Sequence, residues 1–485
     1  MSPNITTGRA SVVARSVIVA LAFAVAGPVT PIAHARQVDH AEGGSLPSAP
    51  APCTLTVATD DGAIDGVRDE IGPGAVVCLA AGTRPNFKIA NVIGTPEAPV
   101  TVRNEGGTVV ITGTELEAGI YLQASSHLRI TGSGTTSRCG ALFESDDQEC
   151  GIVIDGARKG IKVATARGDA GGFEIDHIAI VRVSTGKETR GIAIHPVDGQ
   201  VVADVYIHHN YVTNTLAEAL YIGSEPRKKA WEELGKVDRV EVAYNLIENI
   251  GWDAIKLKVA VSASRIHHNV IRNVGLANYA AHRGGVTVAM SQVIVDHNVI
   301  LNAPEGIRAG RPQEGVSNRY HDNVIVDSVL GAIQTKETNA RIYNNTIVRA
   351  SSISIRARGD GTSVLRNIVA DSAEPIDVRG RIVAQGNVSA TASEIGFVDP
   401  EIGDFRLTDD SAAALAESIT DPSTCRGGAK TPRQFRSGGS GTSWPGACRV
   451  DLGARVSTDL VFLFPDPYTP AAPAPHGTQA RVVAF

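Results

Sequence analysis

The chain has few aromatic residues and very little methionine. Phe, Trp and Tyr make up 5% of its 485 residues, and Met occurs only twice. This scarcity argues against a core of large aromatic side chains and against long helices. Gly is abundant, at 50 residues, and Val and Ile recur throughout. Small and branched residues suit closely spaced strands, so the composition predicts a β protein.

A surplus of positive charge is also absent. The chain has 45 Lys and Arg against 51 Asp and Glu, a formal net charge of -6. This balance argues against a nucleic-acid partner. The mean hydropathy is +0.00, which argues against a protein that crosses a membrane several times.

The first 35 residues predict an export signal. Arg9 and Arg15 precede the apolar run 17–26, and Ala33-His34-Ala35 supplies the small residues that a signal peptidase recognises. The run is too short to span a bilayer, which takes about 20 residues. We therefore expect the mature chain to begin at Arg36 and to be secreted or periplasmic.

Six cysteines in an exported chain favour disulfides over metal ligands. They form three local pairs in the sequence: Cys53 with Cys78, Cys139 with Cys150, and Cys425 with Cys448. The metal-binding spacings CxxC and HExxH do not occur. The expected pattern is therefore three sequential disulfides.

A short motif with a central Asn recurs along the middle of the chain. The asparagines are Asn210, Asn245, Asn269, Asn298, Asn323, Asn345 and Asn367, with a degraded copy at Asn387. Repeats of this length predict a solenoid, and three short strands per repeat leave no room for helices. The predicted fold is all-β, a single right-handed parallel β-helix of about a dozen coils. Because Asn tolerates the left-handed conformation and bonds nearby backbone, we expect its copies to form an internal ladder.

The same pattern predicts how the chain is divided. The predicted segments are a signal peptide at 1–35, a disordered linker at 36–52, an N-terminal cap at 53–99, the β-helix at 100–410, a C-terminal cap with a disulfide loop at 411–464 and a flexible tail at 465–485. We expect a monomer.

Several phrases resemble a known family. The sequence GTPEAPVTV at 94–102, followed by VVITG at 109–113, looks like the opening coils of pectin-lyase-fold proteins. The phrases FEIDHI at 173–178 and GWDAIKL at 251–257 resemble secreted bacterial β-helix repeat proteins of that superfamily. The resemblance implies the fold. It does not fix a reaction, because this fold carries lyases, hydrolases, epimerases and adhesins.

The outward positions of the predicted third strands form two stacked columns. One column reads Ala193, Tyr221, Lys256, Thr287, Arg308, Gln334 and Ser354. The other reads His195, Gly223, Lys258, Ala289, Gly310, Lys336 and Arg356. Turns add Arg311 and Arg358. An acidic chain thus concentrates cations on one face, which predicts an acidic polysaccharide as the partner.

Roles follow from the chemistry of these side chains. Neighbouring cations lower each other's proton affinity, so Lys256 beside Lys258 is a candidate base, with Tyr221 or His195 as proton donor or alternative base. Arg308 completes the candidate catalytic set. The candidate substrate-binding residues are Lys336, Arg356, Arg311, Gln334 and Trp252.

A column of acidic residues precedes these strands. It contains Glu218, Asp253 and Glu305, with Glu218 and Asp253 one coil apart. Such carboxylates could bind Ca²⁺, or Asp253 and Glu305 could act as an acid and base pair.

Three functions are compatible with this face: a lyase that cleaves a uronate polymer by β-elimination, an inverting glycoside hydrolase that uses Asp253 and Glu305, and a non-catalytic adhesion solenoid. Two longer spacings predict walls beside the face. One carries Arg227, Lys228, Lys229 and Trp231; the other carries Tyr279, His282 and Arg283.

Overall fold

The strands of successive repeats pair in parallel in the computed structural model of the protein. The structure describes residues 51–113, 117–132, 150–164, 170–183, 189–225, 230–262, 264–310, 313, 315–401, 403–408 and 411. Each regular coil contributes one strand to each of three ladders. The predicted parallel β-helix is therefore confirmed.

The first ladder lies before the Asn turns, and the second lies after them. The first consists of Leu55–Val57, Val76–Arg84, Val100–Ile111, Leu128–Thr131, Ala170–Asp176, Val201–His208, Lys236–Ala243, Ser264–His267, Val293–Asp296, Arg319–His321, Arg341–Tyr343, Ser363–Leu365 and Val383–Gln385. The second consists of Ile152–Ala157, Ile178–Val183, Tyr211–Thr215, Leu246–Ile250, Val270–Val274, Val299–Leu301, Val324–Val326, Thr346–Val348, Ile368–Ala370 and Val388–Ala390.

The third ladder is a 12-stranded sheet. It consists of Ala63–Asp65, Phe87–Ala90, Ile120–Gln123, Lys159–Ala164, Arg190–His195, Leu220–Ile222, Ile255–Lys258, Gly284–Ala289, Glu305–Gly310, Gly331–Thr335, Ile353–Ala357 and Glu374–Val378. Its inward side chains stack as fully buried aliphatics, for example Ile192, Leu220, Ile255 and Val286. Their branched shapes fill the narrow interior, so aromatic residues are not needed there.

The Asn motif forms the expected internal ladder. The side-chain amide of Asn269 donates to Asn298 Oδ1 at 2.9 Å, and the Asn269 backbone N–H donates to the same oxygen at 3.1 Å. The amide–amide contact repeats without a break from Asn210 to Asn387. The left-handed residue is not the Asn itself but the one before it, such as His268 with φ of 52°. The preceding residue therefore adopts the left-handed backbone conformation, and the buried Asn amide stabilises the turn through hydrogen bonds.

The segment predicted as an N-terminal cap carries strands of the same ladders. Leu55–Val57 pairs with Val76–Arg84, which pairs with Val100–Ile111. The parallel coils thus begin at Leu55, well before residue 100. The predicted Cys53–Cys78 disulfide is present and joins the first two strands of this ladder. Cys139, Cys425 and Cys448 lie outside the described residues, so the other two pairings remain predictions.

Near the C-terminal end, a short α-helix, Ala392–Ile395, is followed by an antiparallel hairpin of Phe397–Asp399 and Asp404–Leu407. Ile395, Phe397 and Phe405 pack with outer residues of the second ladder. A 3-10 helix, Trp231–Glu233, lies between the strands Leu220–Ile222 and Lys236–Ala243. The predicted signal peptide, the tail and nearly all of the linker and the C-terminal cap fall outside the described residues. No helix among the residues that the structure describes is long and apolar enough to cross a membrane.

Candidate active site

The strand register of the third ladder tests the predicted columns directly. Tyr221, Lys256, Thr287, Arg308 and Gln334 stack in successive coils, as predicted. The coil of Ile353–Ala357 differs, because Arg356 pairs with Gln334 and takes the position predicted for Ser354. Ser354 itself is fully buried. Ile353 and Ile355 are both apolar, so alternation alone could not decide which of them pairs with Ile333.

The acidic column is confirmed by the same register. Leu220 pairs with Ile255, which places Glu218 beside Asp253, and Gly284 pairs with Glu305 one coil further on. Glu218 and Asp253 are both completely buried. A buried carboxylate requires a charged or hydrogen-bonding partner, so these two residues must be explained by their surroundings.

Lys256 is the common partner of the two buried carboxylates. Its Nζ donates to Glu218 Oε1 at 3.0 Å and to Asp253 Oδ2 at 2.7 Å, and it contacts His282 Nδ1. Only 2% of Lys256 is exposed. The sequence predicted that Lys256 would point outward from the core, and the strand register confirms this. The side chain is nevertheless enclosed, because His282 and the acidic residues surround it.

The pKa values of Glu218, Asp253 and His282 are shifted by their surroundings in this cluster. Burial favours the neutral form of Glu218 and Asp253, but the hydrogen bond with His282 and the charge of Lys256 outweigh it and lower the pKa of both carboxyls. Burial disfavours a charged His282, yet the hydrogen bonds with Asp253 and Glu218 outweigh it and raise the pKa of the imidazole. The groups therefore titrate as a coupled unit.

Three other predicted catalytic residues, Tyr221, Lys258 and His195, lie next to the Lys256 cluster. The Tyr221 hydroxyl donates to Glu225 Oε2 at 3.0 Å, and Lys258 contacts the same carboxylate. Burial lowers the pKa of Lys258. The ring of His195 lies edge-on to Tyr221, with centroids 4.7 Å apart, and burial together with the charge of Arg190 lowers the pKa of His195 to about 3. Tyr221 and Lys258 are thus both bound to Glu225, whereas His195 contacts them through the Tyr221 ring.

His282 connects this network to the surface. Its side chain is 21% exposed, and its ring lies against Trp252 and Tyr279, at centroid distances of 4.4 Å and 5.2 Å. The loop that carries it is fastened to the previous coil, where the N–H of Leu276 donates to Ile250 at 3.1 Å. The sequence had assigned His282 only to a wall of the groove. The long Asn269–Asn298 spacing was the signal, but spacing alone could not show that the loop folds back over Lys256.

Glu305 lies between two arginines on the C-terminal side of His282. Arg283 Nη2 is 3.7 Å from Glu305 Oε1, and Arg308 Nη1 is 3.3 Å from Glu305 Oε2. Two guanidinium groups thus share one carboxylate. The Arg308 side chain is 38% exposed, so this pair leaves positive charge available at the surface.

The remaining predicted residues lie on both sides of this centre. Trp252 is half-buried beneath the His282 loop. Gln334 is half-buried and donates to Leu330 O at 3.2 Å, and Lys336 is exposed. Arg356 is 3.4 Å from Asp377. Arg311 lies outside the described residues.

A calcium ion does not fit the acidic residues proposed to hold it. Asp253 Oδ1 accepts hydrogen bonds from Gly284 N and Thr287 Oγ1, at 2.8 Å and 2.9 Å. Its other oxygen and Glu218 Oε1 accept from Lys256, and Glu218 Oε2 accepts from Arg190 at 3.2 Å. The third residue of the set, Glu305, faces the two arginines. The position between the carboxylates is held by an ammonium group, which supplies the compensating charge itself.

Comparison with known proteins supports the fold. No protein-family model matches the chain, and no curated protein matches it in sequence. A native GH136 lacto-N-biosidase structure from Eubacterium ramulus is 14% identical with a TM-score of 0.50, over 70% of this chain and 68% of that one. In its selenomethionine derivative the match spans 62% of the enzyme.

Two lyase structures are similar at lower TM-scores. An alginate lyase from Paenibacillus sp. str. FPU-7 is 18% identical, over 68% of this chain and 100% of that one, with a TM-score of 0.42. A pectate lyase is 11% identical, over 82% and 97%, with a TM-score of 0.40. From its own ladders and the lacto-N-biosidase likeness, the chain has a right-handed parallel β-helix fold.

Proposed function

We propose that the protein is a secreted carbohydrate-active enzyme that cleaves an acidic, uronate-containing polysaccharide by β-elimination. The observation that carries this proposal is the position of His282. Its Nδ1 edge lies 3.3 Å from Glu218 and 3.4 Å from Asp253, its ring reaches the surface, and two arginines follow on the same side.

β-Elimination requires a base and a cation. The base removes the proton from the carbon next to the uronate carboxylate. The electron pair forms a C=C bond, the C–O bond to the neighbouring sugar breaks, and the leaving oxygen takes up a proton. We assign the proton acceptor to Nε2 of His282, since Nδ1 is directed at the buried groups, and the resulting imidazolium can return the proton to the leaving oxygen.

The arginines supply the second requirement. Removing a proton next to a carboxylate builds negative charge on that carboxylate, so a fixed cation lowers the barrier. Among the residues that the structure describes, Arg283 and Arg308 have Glu305 as their shared carboxylate partner, which leaves a net positive charge for the substrate. Trp252 and Tyr279 offer ring surfaces for the less polar faces of a sugar.

The hydrolase alternative has weaker support from this geometry. An inverting hydrolase needs one carboxylic acid that keeps its proton until the leaving oxygen takes it. The pKa of Asp253 is lowered, and both of its oxygens accept hydrogen bonds from protein donors. Asp253 is therefore poorly suited to donate a proton, and Glu305 faces two arginines.

The test is turnover on polygalacturonate, alginate and other anionic polysaccharides. We expect reducing ends to appear together with the ultraviolet absorbance of an unsaturated uronate. Reducing ends without that absorbance would establish hydrolysis instead. If the purified mature protein binds these polymers but releases neither product, the adhesion function replaces the enzymatic one.

A further inference from the structure

We propose that an acidic polymer occupies this site from one side only, extending from His282 toward the C-terminal coils, so that cleavage takes place near a chain end. This inference rests on the proposed function of the same site and adds a direction to it. It follows from a difference in burial and charge between the two halves of the third ladder.

The N-terminal side of His282 is closed. Tyr221 and Lys258 lie on the outer face of the ladder but are only 5% and 7% exposed. Glu225 contacts both of them and covers their polar ends. Next to it, Ser224 Oγ donates to Gly235 O at 2.6 Å. A sugar chain would have to displace Glu225 to reach the Lys258 ammonium group.

The next coils toward the N-terminus also have few cations available to bind an acidic polymer. Ala193 occupies the outer column and is completely buried. Further along, Lys159 and Lys162 both bind Glu117, and Lys159 is only 1% exposed. Lys159 and Lys162 are thus already neutralised by a carboxylate.

On the C-terminal side, the described residues present exposed cations. Arg308, Gln334 and Arg356 stack in three successive coils, and the side chains of the two arginines are 38% and 35% exposed. Asp377 is shared by Arg356, Arg358 and Arg379. Together with the pair at Glu305, five guanidinium groups therefore face two carboxylates.

The asymmetry determines which bond is cut. A uronate polymer carries a carboxylate on every acidic residue, so it can contact the cations of successive coils only on the open side. Its end must then lie near His282, against the closed side. The bond that reaches the base is one of the first from that end, and the products are short from the start of the reaction.

The first experiment follows product size over time. Chain-end cleavage yields unsaturated monomers or dimers in the earliest samples, while the viscosity of the polymer solution falls slowly. Early products of many intermediate lengths would overturn the one-sided arrangement while leaving β-elimination intact.

The second experiment measures binding without turnover. Saturated oligogalacturonates and oligomannuronates, from dimer to octamer, are titrated against the mature protein, Arg356→Ala and Lys88→Ala. Lys88 is the matched control, since it stacks in the same outer column on the closed side. We expect Arg356→Ala to weaken octamer binding about tenfold and dimer binding little, because it removes one charge-assisted contact.

Lys88→Ala is expected to bind every oligomer like the parent protein. Equal losses for Lys88→Ala and Arg356→Ala would show that the polymer runs in both directions and would overturn the inference. Absence of unsaturated product with intact, Arg356-dependent binding would count against the proposed reaction only. The two proposals can therefore fail separately.

Discussion

Lys256 Nζ and Asp253 Oδ2 lie 2.7 Å apart, and both side chains are shielded from solvent on the outer face of a β-helix. The outer face of such a coil is normally where charges meet water. Here the charges are enclosed, with Glu218 and His282 completing the cluster. The site is consequently part of the protein's stability as well as of its proposed chemistry.

Replacing Lys256 by Met should destabilise the fold strongly. Removing one partner of a buried ion pair leaves uncompensated charge, at a cost of about 3–5 kcal/mol in the free energy of unfolding. Chemical denaturation measures this difference. Arg308→Ala is the control, because that side chain is partly exposed and its loss should leave stability almost unchanged. Equal stability of the two variants would contradict the buried cluster.

His282→Ala should abolish most of the turnover while the fold persists. Loss of a positioned general base reduces kcat by about 10²- to 10⁴-fold. The comparison variant is His297→Ala, which removes an imidazole at 2.6 Å from Asp296 on an Asn turn far from the site. Steady-state kinetics on the best substrate of the panel measures both. Full activity in His282→Ala would remove this residue from the mechanism.

The pH dependence of the turnover rate should reflect the pKa of His282 and its contacts with the buried carboxylates. The base must be neutral, and the pKa of His282 is raised, so the rate should climb with pH and reach half its maximum above the ordinary histidine value of about 6.5. Glu218→Gln removes one of the charges that raise this pKa. Its acid limb should therefore move to lower pH.

Glu241→Gln provides the matched control for that shift. Glu241 also contacts a histidine, His267, at 2.9 Å, but on the first ladder. Its profile should coincide with that of the parent enzyme. If Glu218→Gln leaves the acid limb in place, the titrating group is not coupled to Glu218.

The Asn ladder should be most sensitive at its middle. Asn269→Ala removes the acceptor of Asn245 and a donor to Asn298, and each buried group left without a partner costs about 1–3 kcal/mol. Asn387, where the ladder ends, is half-buried, so Asn387→Ala should cost less. Thermal or chemical unfolding of the two variants measures the gradient. Equal losses would mean that the ladder does not act cooperatively.

The repeats made the fold predictable, because each Asn copy marks the same point of a coil and the aliphatic alternation marks the core. The stacking of Glu218 beside Asp253 followed from that register. The burial of Lys256 did not follow, since it depends on how the His282 loop folds over the sheet. The position of Arg356 was also not predictable, because Ile353 and Ile355 fit the aliphatic pattern equally well. The repeat pattern of the sequence predicts strand pairing, whereas the conformation of a loop depends on contacts between residues that are distant in the sequence.

The amide ladder also makes the coils interchangeable units of different length. Linked asparagines are separated by 35, 24, 29 and 20 residues, yet their amides always meet at 2.9–3.0 Å. All variation in length is therefore absorbed away from the ladder, in excursions such as the one between Leu220–Ile222 and Lys236–Ala243. An excursion of this kind can be shortened, lengthened or replaced without changing the alignment of neighbouring coils. The scaffold can thus acquire a new groove by exchanging a single loop.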